Sequence, residues 1–319
     1  MKLLEIKNEY YKNKIVKKNY IQKIYKKYHS SLFEYSDLLN QTDIKKIEIT
    51  NRELSIISKA YGIKVFFPRH DHRSAPLECL NFGSYEEKEL QVILQIIPKH
   101  GNFLDIGANI GWQTVFASLI VGENGKVFSF EPDNKNFEVL KNNIKLNNLN
   151  NVTAVKLALA ESEYVGELYS SKQNFGNHML NPKFCNPEIH NSHCQVKVST
   201  IDRFCEIHNI DTKKISLIKI DVEGSECRVL NGGSKFFENN RPNIILEYSP
   251  SQIAQCGFSV FDIFSFIDRN KYSPFMIEKI DINNPTYKLQ PLNFFDLLTL
   301  TKNIMNTTEY RDILLLAND

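Results

Sequence analysis

Apolar residues alternate between two spacings along the middle of the chain. Short apolar runs at Phe103–Ile106, Lys126–Phe130 and Val152–Leu159 have the length of buried strands. The segments between them, Trp112–Val121 and Asn136–Leu146, repeat apolar residues at helical spacing. Strands separated by helices of this length indicate crossover connections and therefore a parallel sheet with helices on its faces.

The same alternation resumes further along the chain and predicts the rest of the sheet. The expected helices are Ile201–His208, Glu226–Phe237 and Val260–Ile267, and the expected strands are Leu217–Ile220, Asn243–Glu247, Tyr272–Ile277 and Asn293–Leu300. Upstream, Ile63–Phe67 predicts a strand, and Ser84 with Glu87 forms a capping-box signature for a helix that ends before Gly101. An α/β fold follows from this order.

Residues 1–45 combine lysines with apolar residues at helical spacing, which predicts a basic helical extension. The first 40 residues hold nine Lys against three Glu and one Asp, so their charge is +5 and the rest of the chain carries −3. One interpretation is an extension that packs on the main domain or on a second copy. The other is contact with an anionic surface, either a membrane or a phosphorylated carrier. We assign residues 46–101 to a cap with a lead-in helix and 102–319 to the main domain.

Composition changes this picture little. The 319 residues are 42% hydrophobic and 24% charged, as in ordinary soluble enzymes, and the net charge of +2 argues against a nucleic-acid binder. Six scattered cysteines form no disulfide framework, which favours a cytoplasmic protein. We find no apolar run of the roughly 18 residues that a membrane span needs. The sequence leaves the oligomeric state open, including a homo-oligomer.

The segment Phe103–Trp112 ends an apolar run in Asp105 and then turns through Gly107, Asn109 and Gly111. Both glycines can adopt positive φ and let the backbone approach a ligand, and Asn tolerates the same region best among other residues. The pattern predicts a strand that feeds a helix through a loop that holds a nucleotide-like cofactor.

The next predicted strand ends in Glu131-Pro132, at the position where dinucleotide folds place an acid that binds ribose hydroxyls. Trp112 stands where a further small residue would receive a pyrophosphate, and the carboxylate of Asp105 suits a cationic ligand group. These residues favour S-adenosylmethionine over NAD, although an NAD(P)-type oxidoreductase stays an alternative. Ala158, near the end of the following strand, is assigned to the same cofactor site.

Carboxylates follow two later strands. Asp221 and Glu223 come directly after Leu217–Ile220, and Glu247 ends the next strand. Ligand sites of open α/β sheets lie at such carboxyl ends, so these acids are expected to face the cofactor loop. They can act as a general base for a hydroxyl or hold a divalent cation, and Glu247 can also contact substrate. Glu226 is expected instead to stabilise the start of a helix.

The segment 171–195 interrupts the α/β order and is predicted to form a substrate loop. His178 is the alternative general base if this loop covers the site. Cys185, His190, His193 and Cys194 match no common zinc spacing, and His70 with His72 is interpreted as part of a solvated loop.

Taken together, these motifs resemble the FkbM-family methyltransferases. The resemblance rests on Phe103–Gly111, Phe130-Glu131-Pro132, Ser199-Thr200-Ile201-Asp202, Leu217–Glu226 and Glu247, and it extends from about Ser84, with Tyr85-Glu86, to Ser249. It implies a Rossmann-like class I methyltransferase fold, a seven-stranded, mostly parallel sheet whose last strand is antiparallel, and S-adenosylmethionine as methyl donor. It also implies a hydroxyl acceptor on a sugar, a glycan or a related natural product. A non-catalytic scaffold that only binds the cofactor is the remaining alternative.

Overall fold

A computed structural model describes residues 2–51, 53–68, 74–171, 178–179, 190–279 and 287–318. The helices are α1 (Leu3–Tyr11), α2 (Lys17–Ile24), α3 (Ser30–Asn40), α4 (Ser74–Phe82), α5 (Glu87–Ile96), α6 (Trp112–Val121), α7 (Asn134–Leu146), α8 (Ile201–Ile207), α9 (Glu226–Asn231), α10 (Ser234–Asn239), α11 (Pro250–Gln255), α12 (Val260–Arg269) and α13 (Phe294–Ile304). A π-helical turn, Tyr25–His29, joins α2 to α3, and a 3-10 turn, Thr212–Lys214, precedes one of the strands.

The strands form three sheets. They are β1 (Ile44–Ile49), β2 (Glu53–Ser58), β3 (Lys64–Pro68), β4 (Asn102–Ile106), β5 (Val127–Phe130), β6 (Val152–Val155), β7 (Ala158–Leu159), β8 (Tyr164–Ser171), β9 (His178–Met179), β10 (His190–Ser199), β11 (Ile215–Ile220), β12 (Asn243–Tyr248), β13 (Tyr272–Lys279), β14 (Tyr287–Pro291) and β15 (Arg311–Ala317). The central sheet has the order β14-β13-β15-β12-β11-β4-β5-β6, and its neighbours from β12 to β6 pair in parallel.

This arrangement is the Rossmann-like class I methyltransferase fold that the sequence predicted. The strand last in the chain, β15, is inserted antiparallel between β12 and β13. The expected seven strands are present, and β14 adds an eighth at the edge, paired antiparallel with β13. The sheet order brings the ends of β4, β11, β12 and β5 to one edge, where a ligand site can form.

Alternate residues of the central strands enter two cores, one on each face of the sheet. On one face Leu104, Ile218 and Leu246 pack among residues of α8, α9, α10 and α12. On the other face Phe103 and Leu217 pack among residues of α5 and α6. Strands buried on both faces are nearly all apolar, which is why the short apolar runs of the sequence identified them.

Three of the predicted elements are wrong. The expected strand Val152–Leu159 is two short strands, β6 and β7, which belong to different sheets. Asn293–Leu300 was expected to be a strand, but Phe294–Ile304 is a helix, because Asn293 caps it by accepting hydrogen bonds from the Phe295 and Asp296 backbone N–H groups. The expected single helix over 226–237 is two helices, α9 and α10, separated by two consecutive glycines. A short apolar stretch does not distinguish a strand from a buried helix, which explains the error at Asn293–Leu300.

The region before the central sheet also differs from the prediction. The capping box at Ser84 is absent, since α5 starts at Glu87 and Glu86 is the residue before it, with φ +46°. Two strands that the sequence did not reveal, β1 and β2, join β3 in an antiparallel sheet. Strand β1 runs across the predicted boundary between residues 45 and 46. In the described ranges, no helix is long and apolar enough to cross a membrane.

Candidate active site

The loop between β4 and α6 has the backbone conformation that the sequence predicted. The φ angles of Gly107, Asn109 and Gly111 are +88°, +51° and +84°. A Cβ on Gly107 would lie 1.8 Å from the carbonyl oxygen of Asp221, and one on Gly111 would lie 2.5 Å from Leu140 Cδ1. The two glycines therefore allow the loop to pack closely against β11 and α7, and this close packing sets the floor of the site.

A cavity of about 180 Å³ opens beside this loop, at the carboxyl ends of the central strands. Most of the residues assigned to the site from the sequence line it: Gly107, Asn109, Glu131, Pro132, Ala158, Asp221, Glu223 and Glu247. They come from the ends of β4, β5, β11 and β12, and Ala158 comes from β7 of a second sheet. The sheet order brings them together, and the expected crevice is present.

Glu131 is buried at the cavity wall, and its carboxylate is fixed by the backbone. Its Oε2 accepts a hydrogen bond from the Asn109 backbone N–H at 2.9 Å, and its Oε1 accepts one from the Asp133 N–H at 2.8 Å. Each carboxylate oxygen can accept a further bond. The backbone thus holds Glu131 in a single orientation at the cavity wall, and Glu131 also ties the glycine loop to the end of β5.

Three residues assigned to the cofactor do not line the cavity. Asp105 is completely buried below the loop, where its carboxylate accepts a hydrogen bond from the Thr114 hydroxyl. Burial raises the pKa of Asp105, and Lys219 opposes that rise. Gly111 begins α6. Trp112 packs on Phe116 at a ring-centroid distance of 5.0 Å, in the core beneath the β1–β3 sheet. Trp112, at the start of α6, therefore contributes to core packing. A sequence pattern alone does not distinguish this role from contact with a ligand.

A buried lysine that the sequence analysis did not assign to the site lies at its centre. Lys219 Nζ is 2.7 Å from Asp221 Oδ2 and 3.7 Å from the nearest carboxylate oxygens of Glu86 and Glu89. Burial lowers the pKa of Lys219, but the surrounding carboxylates outweigh it and raise that pKa well above its ordinary value. The sequence did contain a signal for this residue, because Lys219 lies within the apolar run Leu217–Ile220. A charged residue in such a buried position almost always has a partner.

Glu86 is a second missed residue. It has a positive φ, lines the cavity, and its carboxylate accepts a hydrogen bond from the Gln113 side chain. Burial raises the pKa of Glu86 to about 7, with Lys219 lowering it and Asp221 raising it. Tyr310, the residue before β15, also lines the cavity. The pair Tyr85-Glu86 was part of the sequence resemblance, but its position at the site depends on how α5 packs.

Glu223 and Glu247 both line the cavity. The Glu223 carboxylate accepts a hydrogen bond from the Gln252 side chain, and burial, followed by the Asp221 charge, raises its pKa to about 8. Burial also raises the pKa of Glu247 well above its usual range, again with Asp221 as the largest charge contribution. Glu223 has φ +55°, a strained conformation for a residue with a side chain. A carboxyl group whose pKa lies near neutrality is suited to proton transfer.

Glu226 has a structural role at the start of α9, as the sequence predicted. It is fully buried, and its Oε1 accepts hydrogen bonds from the backbone N–H groups of Val222 and Gly224. Burial raises its pKa to about 7. Glu226 thereby holds the turn that presents Asp221 and Glu223 to the cavity.

The structure does not test the histidine hypothesis, and the part of the chain that it describes does not support the metal hypothesis. The backbone of His178, in β9, pairs with that of Ser170 in β8. The side chain of His178 lies outside the described residues, as do Cys185, His70, His72 and the side chains of His190 and His193. Among the side chains that are described, no group of three or more His, Cys, Asp or Glu could hold a metal ion. The expected cation site at Asp221, Glu223 and Glu247 is therefore without support in that part of the chain.

Two unpartnered acceptors lie at the cavity wall. In the described part of the chain, buried Asn109 Oδ1 and Glu247 Oε2 have no hydrogen-bond partner, and both residues line the cavity. A buried polar atom without a partner is costly unless a ligand or water satisfies it. The site therefore fits a ligand that carries several hydrogen-bond donors and positive charge.

Comparison with known proteins relates this chain to methyltransferases. Residues 105–274 match the family described as "Methyltransferase FkbM domain". A probable cobalt-precorrin-6B C(15)-methyltransferase (decarboxylating) from Sulfurisphaera tokodaii is 44% identical over 54 residues, which are 17% of this chain and 28% of that protein. The solved structure of methyltransferase FkbM from Methylobacillus flagellatus has a TM-score of 0.42 and 14% identity, and the match covers 76% of this chain and 53% of that one. The chain thus matches about a quarter of the curated relative and about half of the solved structure.

Proposed function

The chain belongs to the FkbM methyltransferase family, and from that premise we propose that it transfers the methyl group of S-adenosylmethionine to a hydroxyl oxygen of a sugar, a glycan or a related natural product. The observation that carries the proposal is the cavity itself. Glu131, whose carboxylate is held by two backbone N–H groups, lines this cavity together with Asp221 and Glu223.

The residues present fit this cofactor. S-Adenosylmethionine supplies an activated methyl group on a positively charged sulfonium. Glu131 would accept hydrogen bonds from ribose hydroxyls, and the unpartnered oxygens of Asn109 and Glu247 would accept from further donors. In the described part of the chain, the charged residues that line the cavity are six acids and Lys219, and Lys219 is already surrounded by carboxylates. A cationic cofactor is therefore favoured over an anionic one.

The chemical role of the chain is alignment and removal of one proton. A hydroxyl is a poor nucleophile while it holds its proton, and a positioned base contributes about 10²–10⁴-fold to such reactions. Glu223 is the proposed base, because its pKa of about 8 lies close to the working range. Asp221, ion-paired to Lys219, would orient the acceptor hydroxyl. His178 stays the alternative base.

The deciding experiment incubates purified protein with labelled S-adenosylmethionine and a panel of neutral sugars, lipid-linked glycans and small hydroxylated products. We expect label transfer and an O-methyl resonance in the product by NMR. A methyl on carbon or nitrogen would contradict the assignment to oxygen. Thermal stabilisation by NAD but not by S-adenosylhomocysteine would point to an oxidoreductase, and binding without turnover on any acceptor would point to a scaffold.

The choice among bases is tested separately. We expect the Glu223→Gln variant to lose at least a hundredfold in turnover while it still binds S-adenosylhomocysteine, consistent with the contribution of a positioned base. A His178→Ala variant should retain activity. Turnover that survives exhaustive chelation is expected if Glu223 acts directly, and turnover restored only by added Mg²⁺ or Mn²⁺ would instead favour a bound cation.

A further inference from the structure

Residues 2–29 expose an unusual density of positive charge. This segment contains nine Lys and only two acidic residues, Glu5 and Glu9. Every one of the nine lysines is exposed: Lys2, Lys7, Lys12, Lys14, Lys17, Lys18, Lys23, Lys26 and Lys27. The excess of seven positive charges lies outside the cavity and takes no part in the proposed transfer.

Large apolar side chains are exposed among these lysines. Leu4, Tyr11, Val16 and Phe33 each expose about two thirds of their surface, at 66%, 69%, 65% and 68%. Ile21, Tyr25 and Leu32 are also exposed. Leu4 and Tyr11 are seven residues apart in and at the end of α1, so they lie on the same face of that helix. Because the rest of the chain does not cover these side chains, a large apolar area is left in contact with water.

The helices that carry these side chains are nevertheless ordered against each other. Ile6 of α1 and Ile24 of α2 are buried, and the rings of Tyr10 and Tyr20 stack with centroids 4.7 Å apart. Helices α1 and α2 therefore form a packed pair with an inner apolar side. The exposed apolar residues are a second, outer set that this packing does not use.

We propose that the basic helical surface, defined as the exposed lysines of residues 2–29 with Leu4, Tyr11, Val16, Ile21, Tyr25, Leu32 and Phe33, binds an anionic lipid bilayer. Lysines contact acidic headgroups while aliphatic and aromatic side chains enter the boundary with the acyl chains, as in amphipathic helices that lie in the membrane interface. Charge argues against a second copy as the occupant, because pairing the surface with itself would bring two strongly positive segments together. A soluble phosphorylated partner would leave the apolar set in water.

The test is sedimentation of the full chain with vesicles of phosphatidylglycerol mixed with phosphatidylcholine, compared with vesicles of phosphatidylcholine alone. We expect binding to the anionic vesicles only, and release when the ionic strength rises from about 0.1 M to 1 M, which shortens the screening length from about 10 to 3 Å. Equal binding to both vesicle types, or no binding to either, would overturn the proposal. So would a concentration-dependent dimer that dissociates when Phe33 is replaced by Ser.

Charge variants locate the surface. The triple variant Lys17→Gln, Lys18→Gln, Lys26→Gln should lower partitioning by about fivefold per lysine, on the order of a hundredfold in total. The matched control changes three lysines exposed elsewhere, Lys213, Lys214 and Lys235, to Gln. We expect the control to bind within twofold of the unmodified protein. An equal loss in both variants would show that total charge, and not this surface, determines binding.

Apolar variants separate insertion from simple attraction. Replacing Tyr11, Val16 and Phe33 together by Ser keeps every lysine, so a purely electrostatic contact would be unchanged. We expect instead a loss of at least tenfold in partitioning, with no change in the circular dichroism spectrum, because these side chains are exposed. The matched control replaces exposed Phe261 and Phe295 by Ser and should retain binding. These measurements use no methyl donor, so they are independent of the proposed activity.

Discussion

Lys219 Nζ lies 2.7 Å from Asp221 Oδ2, and the two side chains belong to the same strand end, two residues apart. The lysine side chain is 3% exposed and the aspartate 21%, so the pair reaches from the core to the cavity wall. The same ammonium group also pairs with Glu86, the residue before α5, and with Glu89 of α5. These ion pairs connect α5 to the centre of the sheet. This ion pair thus links the core to the proposed catalytic acids.

Removing the lysine should destabilise the protein in a pH-dependent way. Lys219→Met leaves several buried carboxylates without their cation, and breaking such a pair costs about 3 to 5 kcal/mol. We expect that loss in the free energy of unfolding at pH 8 and a smaller one at pH 5, where Glu86, whose pKa is raised to about 7 by burial, is protonated. Urea unfolding at both pH values measures it. Lys213→Met, at an exposed position, should change stability by less than about 0.5 kcal/mol.

The close approach of Gly107 to Asp221 predicts a strong effect of a single methyl group. Gly107→Ala places a Cβ 1.8 Å from a backbone oxygen, so β4 and β11 must separate. We expect loss of S-adenosylhomocysteine binding by calorimetry and a clear fall in melting temperature. Gly257→Ala is the matched control, since Gly257 has φ +83° with nothing within 4 Å, and its cost should be only the roughly 1–2 kcal/mol of the left-handed conformation.

Glu131 should contribute to cofactor affinity through its charge. Glu131→Gln keeps the size of the side chain but turns an NH₂ group toward one of the backbone N–H donors of Asn109 and Asp133. Hydrogen bonds to a charged group contribute about 1.5–3 kcal/mol, so the dissociation constant of S-adenosylhomocysteine should rise about 10- to 100-fold. Glu138→Gln, exposed on α7, should leave it unchanged. An unaltered constant in the Glu131 variant would remove the ribose assignment.

The proposed base predicts the direction of the pH–rate profile. Because Glu223 must be ionised to accept a proton and its pKa is raised to about 8, kcat/KM should rise with pH and level off above about pH 8. The Asp221 charge contributes to that elevated pKa, so residual activity of Asp221→Asn should show its inflection at lower pH. A profile that is flat between pH 6 and 9 would eliminate Glu223 as the base.

Glu226 makes a separate prediction about stability. Its pKa is about 7 in the folded protein and near 4.5 in the unfolded chain, so the folded state binds the proton more tightly. The contribution of this group is therefore fully present below about pH 4.5 and is lost as the pH rises through 7. Glu226→Gln keeps an acceptor for the Val222 and Gly224 N–H groups and removes the titration. We expect a higher melting temperature than the unmodified protein at pH 8 and a similar one at pH 5.

The sequence by itself determined the class of fold and much of the site. Buried strands such as Phe103–Ile106 are apolar on both faces, and the glycine loop needs positive φ, so both features leave a local pattern that can be recognised. Residues at strand ends, including Glu131 and Asp221, could be placed at one edge because parallel strands share a direction. These inferences depend only on neighbours in the chain and on the order of elements.

The tertiary structure decided the features that depend on contacts between distant segments. It directed Trp112 into a core beneath a sheet that the sequence did not reveal, and it placed Glu86 beside Lys219, more than 130 residues away in the chain. A buried charge is stable only where its partners converge, and that convergence is set by how helices pack on the sheet. Local pattern therefore identified which residues carry chemistry at the strand ends, while packing determined which of them face the cavity and which support it from below.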